Sequence, residues 1–284
     1  MLLLYQLLAI GEKKMGLFFN YSKPGKGVEK DEKRRTGAGL YFELLWRSIG
    51  KLVLANILYF VTSLPILAAY FVLNTYFLSI AMPENIGTSA FVQSAYLISL
   101  LVCILWGTGP VSAGFSYILR NTAREEHFFT CSDFFEKARE SFKRGLVFLV
   151  IDFIMYVVSC TAIFMYYNMA EKSGGIYTVL FAVACLTFFL YTIMHFYLYE
   201  FEITFKNSLL EVYRNSIIMA FATLPMCVLI TVIIYFTTVI LLGFLNPIIV
   251  VIISALFWMS VMRFVADFYV ARTIKKKILA RNIQ

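Results

Sequence analysis

The sequence predicts an all-α protein, a polytopic membrane bundle of six transmembrane helices with cytoplasmic interfacial helices. Three observations predict it. Hydrophobic residue types fill 61% of the 284 positions and charged ones only 15%, against about 25% charged in a soluble domain. The mean hydropathy of +0.78 leaves more apolar surface than one water-soluble core can hide, so a bilayer must take the rest. Lys and Arg gather on alternate connections between the apolar runs, as the cytoplasmic side of a membrane requires.

A span needs about 20 mostly apolar residues. Six runs qualify: residues 52–80, 91–119, 146–167, 176–199, 217–242 and 247–266. The first two exceed what a bilayer needs, which predicts tilt, kinking or extension past the surface. Pro65 interrupts the first, and Gly107, Gly109 and Pro110 interrupt the second. A proline frees a backbone carbonyl that lipid cannot satisfy, so Pro65 and Pro110 are expected to face the bundle. Only Gly243 to Asn246 separates the last two runs, which predicts a tight helical hairpin.

Ahead of the first span, Met1 to Gly11 is apolar but too short to cross. It has no basic segment before it and no small-residue cleavage site after it. The domain reading is an extension over 1–14, with Met15 as the expected start, and a cytoplasmic tail with an interfacial helix over 15–50. A six-helix membrane domain over 51–267 and a basic cytoplasmic tail over 268–284 complete it.

The charges set the orientation. Ten Lys/Arg precede the first span, six lie between Arg120 and Gly145, two are Lys206 and Arg214, and six begin at Arg263; the opposite connections hold only Lys172. Both termini are therefore expected in the cytoplasm and the protein in the cytoplasmic membrane. The net charge of +8 reads as topology and attraction to anionic headgroups, with no nucleic-acid partner implied.

The cytoplasmic segments share a pattern of an amphipathic stretch running into a span, each with an aromatic residue followed by a basic one. These are Trp46-Arg47-Ser48, Phe142-Lys143-Arg144-Gly145 and Tyr213-Arg214-Asn215-Ser216. Such residues suit any span entrance at the headgroup level. The same pattern fits three copies of a unit made of one interfacial helix and one hairpin.

The search for chemistry returns isolated positions. The five cysteines contain no CxxC pair and the two histidines, His127 and His195, lack local zinc-ligand spacing, so no metal or cofactor is expected. Asp152 lies inside the third span, where an acid is costly and a functional candidate by default. It either reaches the interface or pairs with Arg263. Arg263 and Asp267 stand four apart on one helical face and are themselves a candidate pair. Gly107-Thr108-Gly109-Pro110 reads either as close helix packing or as a break lining a cavity. No phosphate loop or nucleophile motif occurs, and no segment supplies a nucleophile, base and orienting group together. The chain is not expected to be an enzyme.

Particular residues carry a resemblance. Met15-Gly16-Leu17-Phe18-Phe19-Asn20-Tyr21, Ser63-Leu64-Pro65-Ile66 and above all Gly109 to His127, continuing through Ser132-Asp133-Phe134-Phe135 and Ser141-Phe142-Lys143-Arg144, resemble the YesL family of Gram-positive bacterial membrane proteins. The likeness runs from Met15 to the basic C-terminal tail. It implies proximity to carbohydrate-uptake transporters and carries no catalytic residues. The implied function is an accessory to carbohydrate uptake that contacts a sugar-transporter permease or ATPase. The contact surface it implies includes Arg120, Arg124, Glu125, Glu126, His127, Phe134, Phe142 and Lys143. A permease component that itself carries a small solute is the alternative, and a membrane enzyme the third reading.

Overall fold

The computed structural model describes residues 36–81 and 100–277. The chain divides into two units, Met1–Leu40 and Tyr41–Gln284, and the second holds the helical bundle. The extension over 1–14, most of the tail over 15–50, the first part of the second apolar run and the last residues of the C-terminal tail lie outside the described residues.

Among the described residues every regular element is helical. Helix α1 spans Ala38–Arg47 and leads through Ser48 into α2, Ile49–Ala81. Helix α3 is described over 100–105 and stops at a break over 106–109. Helix α4, Pro110–Arg124, follows the break, and α5, Thr130–Glu140, follows a short loop. Helices α6, Phe142–Ser173, and α7, Ile176–Thr204, form a long hairpin. Helix α8 is Leu209–Ala222 and α9 is Leu224–Phe244. The chain then turns through Asn246 into α10, Pro247–Ile253, a π-helical segment, Ser254–Trp258, and α11, Met259–Lys277.

Among the described residues, five stretches are long and apolar enough to cross a membrane: Ile49–Tyr76, Phe142–Ser173, Ile176–Thr204, Leu224–Phe244 and Ile248–Lys277. With 32 residues, α6 is about 48 Å long, well beyond a hydrocarbon core of about 30 Å. Large apolar side chains such as Val61, Phe71, Ile154, Val158, Phe236 and Ile240 are more than half exposed on these helices. Water would not tolerate that much contiguous apolar surface, and lipid does. The chain is a multi-pass membrane protein.

The element boundaries correct two expectations. The fifth span does not start at Ile217: the helix covering that residue ends at Ala222, and a new one starts at Leu224. Pro225 has no N–H to continue a helix and sits in the first turn of α9, where none is needed. Pro65 does not face the bundle; it is exposed on an unbroken α2. Its ring is itself apolar and suits lipid, and its neighbours Thr62 and Ser63 turn their hydroxyls back onto the carbonyls of Leu58 and Tyr59.

The element order repeats: a short helix runs into a long one, and a third returns. Helices α4, α7 and α11 belong to the three returns, pack against one another and hold most of the buried polar groups. They form the inside of the bundle. The outer helices α2, α6 and α9 present their exposed apolar faces to lipid.

Candidate functional site

The break between α3 and α4 organises the interior. Where a helix stops, its last carbonyls lose their partners, and a membrane interior offers no water to replace them. Side chains from three helices meet that need. Tyr59 on α2 donates to the carbonyl of Ile104 at 2.8 Å, and Arg263 on α11 donates through Nη1 to that of Leu105 at 2.6 Å. Ser112 donates to the Trp106 carbonyl at 2.7 Å, and Tyr70 to the Gly107 carbonyl at 3.2 Å. Thr108 Oγ1 lies 3.0 Å from Tyr59 Oη and 2.8 Å from Ser112 Oγ, and its one proton joins the break to one of them.

Glycine is required at the close approach just beyond the break. Gly109 has φ +60°, and a Cβ there would lie 2.6 Å from the Gly145 carbonyl oxygen. A Cβ on Gly145 would lie 2.6 Å from the Pro110 nitrogen. The backbones of the break and of α6 therefore touch. The sequence left close packing and a polar break as alternatives, and the structure contains both.

Arg263 is fully buried. Besides Leu105, its guanidinium donates to Ser112 Oγ at 3.2 Å, to the Ser112 carbonyl at 3.1 Å and to Ser116 Oγ. The rings of Tyr59, Trp106, Phe115 and Tyr199 surround it, with centroids 5.2 to 5.9 Å away. Asp267 Oδ2 stands 3.5 Å from Nε, too far for a hydrogen bond to carry much of the site. The pairing of Arg263 with Asp267 is present, and the pairing of Asp152 with Arg263 is not.

Asp152 meets His195 instead. Its Oδ1 lies 2.8 Å from His195 Nε2 and accepts from Tyr191 Oη at 2.5 Å. His195 Nδ1 lies 2.9 Å from the Tyr191 carbonyl oxygen. That carbonyl only accepts, so Nδ1 carries a proton. Nε2 then either donates to a carboxylate or accepts from a carboxylic acid. Asp152 and His195 thus share one proton along a single bond, and the pair is neutral overall in both arrangements. Asp152 Oδ2 is buried with no hydrogen-bond partner among the described residues. A space of about 10 Å³ adjoins Asp152, and its lining includes Cys103, Gly107, Tyr156, Tyr191 and His195. That is about the size of one water. Cys103, His195 and Asp152 together invite comparison with a thiol-protease triad. Both imidazole nitrogens are already engaged, however, and neither is left to activate the thiol.

Nearer the expected cytoplasmic side, Arg124 Nη2 pairs with Glu200 Oε1 at 2.6 Å, both nearly fully buried. Arg144 Nη2 lies 2.7 Å from Glu202 Oε2, although the angle does not make a hydrogen bond. Arg120 donates to the Ile203 carbonyl and to Thr204 Oγ1, both at 3.2 Å. Burial lowers its pKa, and Glu200 opposes that shift. Tyr213 on α8 is pushed up by burial and next by the charge of Asp152.

These contacts correct the surface implied by the resemblance. Arg120, Arg124 and Phe134 are interior, because the carbonyl ends and acids of α7 give the two cations buried partners. Glu125, Glu126, His127, Phe142 and Lys143 are exposed. Glu125 bridges Arg47 at 3.0 Å and Arg272 at 3.6 Å, and the His127 ring packs edge-on to Phe129.

Two features escaped the sequence reading. Asn56 on α2 donates to the carbonyls of Ser254 and Ala255, at 2.8 and 2.7 Å, and accepts from Ser260 N–H at 2.7 Å. It thereby serves the groups that the π-helical segment displaces. Tyr191 stands one turn before His195 on the same face of α7 and completes the Asp152 site. An Asn in the middle of an apolar run was the available signal for the first; nothing local marked the second. No three metal-ligating side chains converge among the described residues. No family model, curated protein or solved structure matches the chain.

Proposed function

We propose that this protein is an accessory to carbohydrate uptake, working in the cytoplasmic membrane through contacts with a transporter permease or ATPase and carrying no sugar itself. The uptake role comes from the resemblance to the YesL family. The observation that carries the accessory half is the filling of the interior. Helices α4, α7 and α11 close around ion pairs and hydrogen bonds, and the space beside Asp152 holds about 10 Å³, against the roughly 300 Å³ or more of ordinary ligand pockets. The docking surface would be the exposed residues on the α4–α5 loop and the start of α6: Glu126, His127, Phe129, Phe142 and Lys143. Affinity purification in mild detergent tests this. Recovery of a permease or ATPase, lost on Phe129→Ala/Phe142→Ala, is the expected result. Recovery of lipid and this chain alone, under conditions that keep transporter complexes intact, would refute it.

The second reading is a permease component. It rests on the discontinuities over 106–109 and Ser254–Trp258, since transporters place broken helices at their binding sites. Uptake of labelled sugar by proteoliposomes holding only this protein would favour it over the accessory. Six spans with both termini inside would place Lys172 outside and Cys131 on the cytoplasmic face. An impermeant maleimide should then label Lys172→Cys in intact cells and Cys131 only after permeabilisation.

A further inference from the structure

A groove of about 330 Å³ opens on the outside of the bundle between α2, α4, α5 and α6. Its lining includes Val111, Phe134, Ala138, Leu146 and Leu149, with Arg139 and Phe142 from the junction of α5 and α6. Thr62 and Ile66 line it from within α2. Thr62 lies 13 residues into α2, about 20 Å along its axis. On α6 the lining runs seven residues from Phe142 to Leu149, about 10 Å of rise. With α5 at headgroup level, the groove therefore runs from the interface to about the bilayer midplane, the depth of one leaflet of a core about 30 Å thick.

The mouth carries positive charge. Arg139 lines the groove, and its guanidinium forms no ion pair among the described residues. Lys143 is exposed one residue beyond the lining Phe142. Two of the three acids of α5 are turned away: at 100° per residue, Asp133 and Glu140 fall on the helix face opposite Phe135, Ala138 and Arg139, and Lys137 holds Glu140 at 2.6 Å. The exposed Glu136 stands about 60° round the helix from Arg139, so Arg139 and Lys143 together outweigh one acid. An apolar slot one leaflet deep with unpaired cations at its mouth has the shape and charge of an acyl chain and its phosphate.

We propose that this groove is a binding site for an anionic glycerophospholipid of the leaflet on the α5 side, with one acyl chain between α2 and α6 and the phosphate at Arg139 and Lys143. The reading depends on the membrane placement of α5 and not on the accessory role, which the purification and uptake experiments test separately.

Native mass spectrometry of the detergent-purified full chain, offered equal amounts of phosphatidylglycerol and phosphatidylcholine, tests it. The expected result is a preference of about fivefold for phosphatidylglycerol, the scale that one net positive charge, Arg139 and Lys143 against Glu136, gives at a membrane surface. Arg139→Gln/Lys143→Gln, both surface changes, should level the two lipids. Ala138→Trp, which fills the groove, should cut retention of both. Equal retention by the unmodified protein would overturn the proposal. So would an Ala138→Trp variant that keeps its phosphatidylglycerol, or one that turns a dimer into a monomer with lipid unchanged, since a second copy would then be the occupant. If Ala138→Trp fails to fold, the other two comparisons decide.

Discussion

Replacing Arg263 with methionine should be among the most damaging single changes in the bundle. The side chain is fully buried and makes four hydrogen bonds, to the Leu105 and Ser112 carbonyls and to Ser112 and Ser116 Oγ. Hydrogen bonds between membrane helices average about 0.6 kcal/mol each, which sets a floor of about 2.4 kcal/mol. Stripping one partner from a buried charge network costs about 3–5 kcal/mol in soluble proteins, which sets the ceiling. The loss should lower the thermal midpoint in detergent by about 10 °C, taking roughly 2–4 °C per kcal/mol for a chain of this size. Arg263→Lys should fall between the variant and the native protein, because a single ammonium cannot fork to carbonyls on both sides of the break. Asp267→Asn should cost less than either, because Oδ2 stands 3.5 Å from Nε. The order, read by fluorescence-detected size exclusion after heating, is the test. An Asp267→Asn as damaging as Arg263→Met would mean that the ion pair, and not the clamp on the helix break, is what Arg263 supplies.

Asn56→Leu should cost about 2 kcal/mol, three bonds at the same membrane average; the same heating assay should show the loss, and hydrogen–deuterium exchange should find the amides around Ser260 exchanging faster. Gly145→Ala puts a methyl group 2.6 Å from the Pro110 nitrogen, so α4 and α6 must move apart; overpacking of this kind costs about 1–3 kcal/mol, and a neutral result would show that the two backbones do not touch. The first turn of α8 should loosen in acid. Ser208 N–H and Oγ hold the Glu211 carboxyl below its ordinary value. Its contribution to the capping box is therefore fully present above the unfolded pKa and is lost as pH falls through the folded one, visible as faster exchange of the α8 amides.

Composition and run length made the outer helices legible. Helices α2, α6 and α7 stand where apolar runs placed them, and the turn between the last two runs falls at Leu245 and Asn246, shorter than the expected Gly243 to Asn246 because Gly243 and Phe244 continue α9. The apolar pattern starts the fifth span too early because Ile217 to Ala222 is as apolar as the stretch from Leu224 onward. The better signals were chemical: Pro225, and the Ser208–Glu211 capping box that starts α8. The Arg263–Asp267 pair was readable because a four-residue spacing fixes a shared helical face. The Asp152–His195 pair joins residues 43 apart in sequence, and helical register gives each residue a face without naming the helix it meets. The resemblance alone puts Arg120 and Arg124 on an outer contact surface, and the usual cost of burying charge is an objection to placing them inside. Glu200 and the carbonyl of Ile203 remove that objection, and neither can be located from the cations' own surroundings in the chain.

Everything proposed for the interior turns on whether the inner helices enclose a packed polar core with no path for a solute. Cys103 lines the space beside Asp152 and His195, and Cys131 is exposed on α5. In open membrane sheets, which admit reagent to both faces, a water-soluble methanethiosulfonate should modify Cys131 within minutes and leave Cys103 unmodified until the protein is denatured, as read by mass spectrometry of the digested chain. Modification of Cys103 in the folded protein from either face would reveal a water-filled route to Asp152 and contradict the packed core.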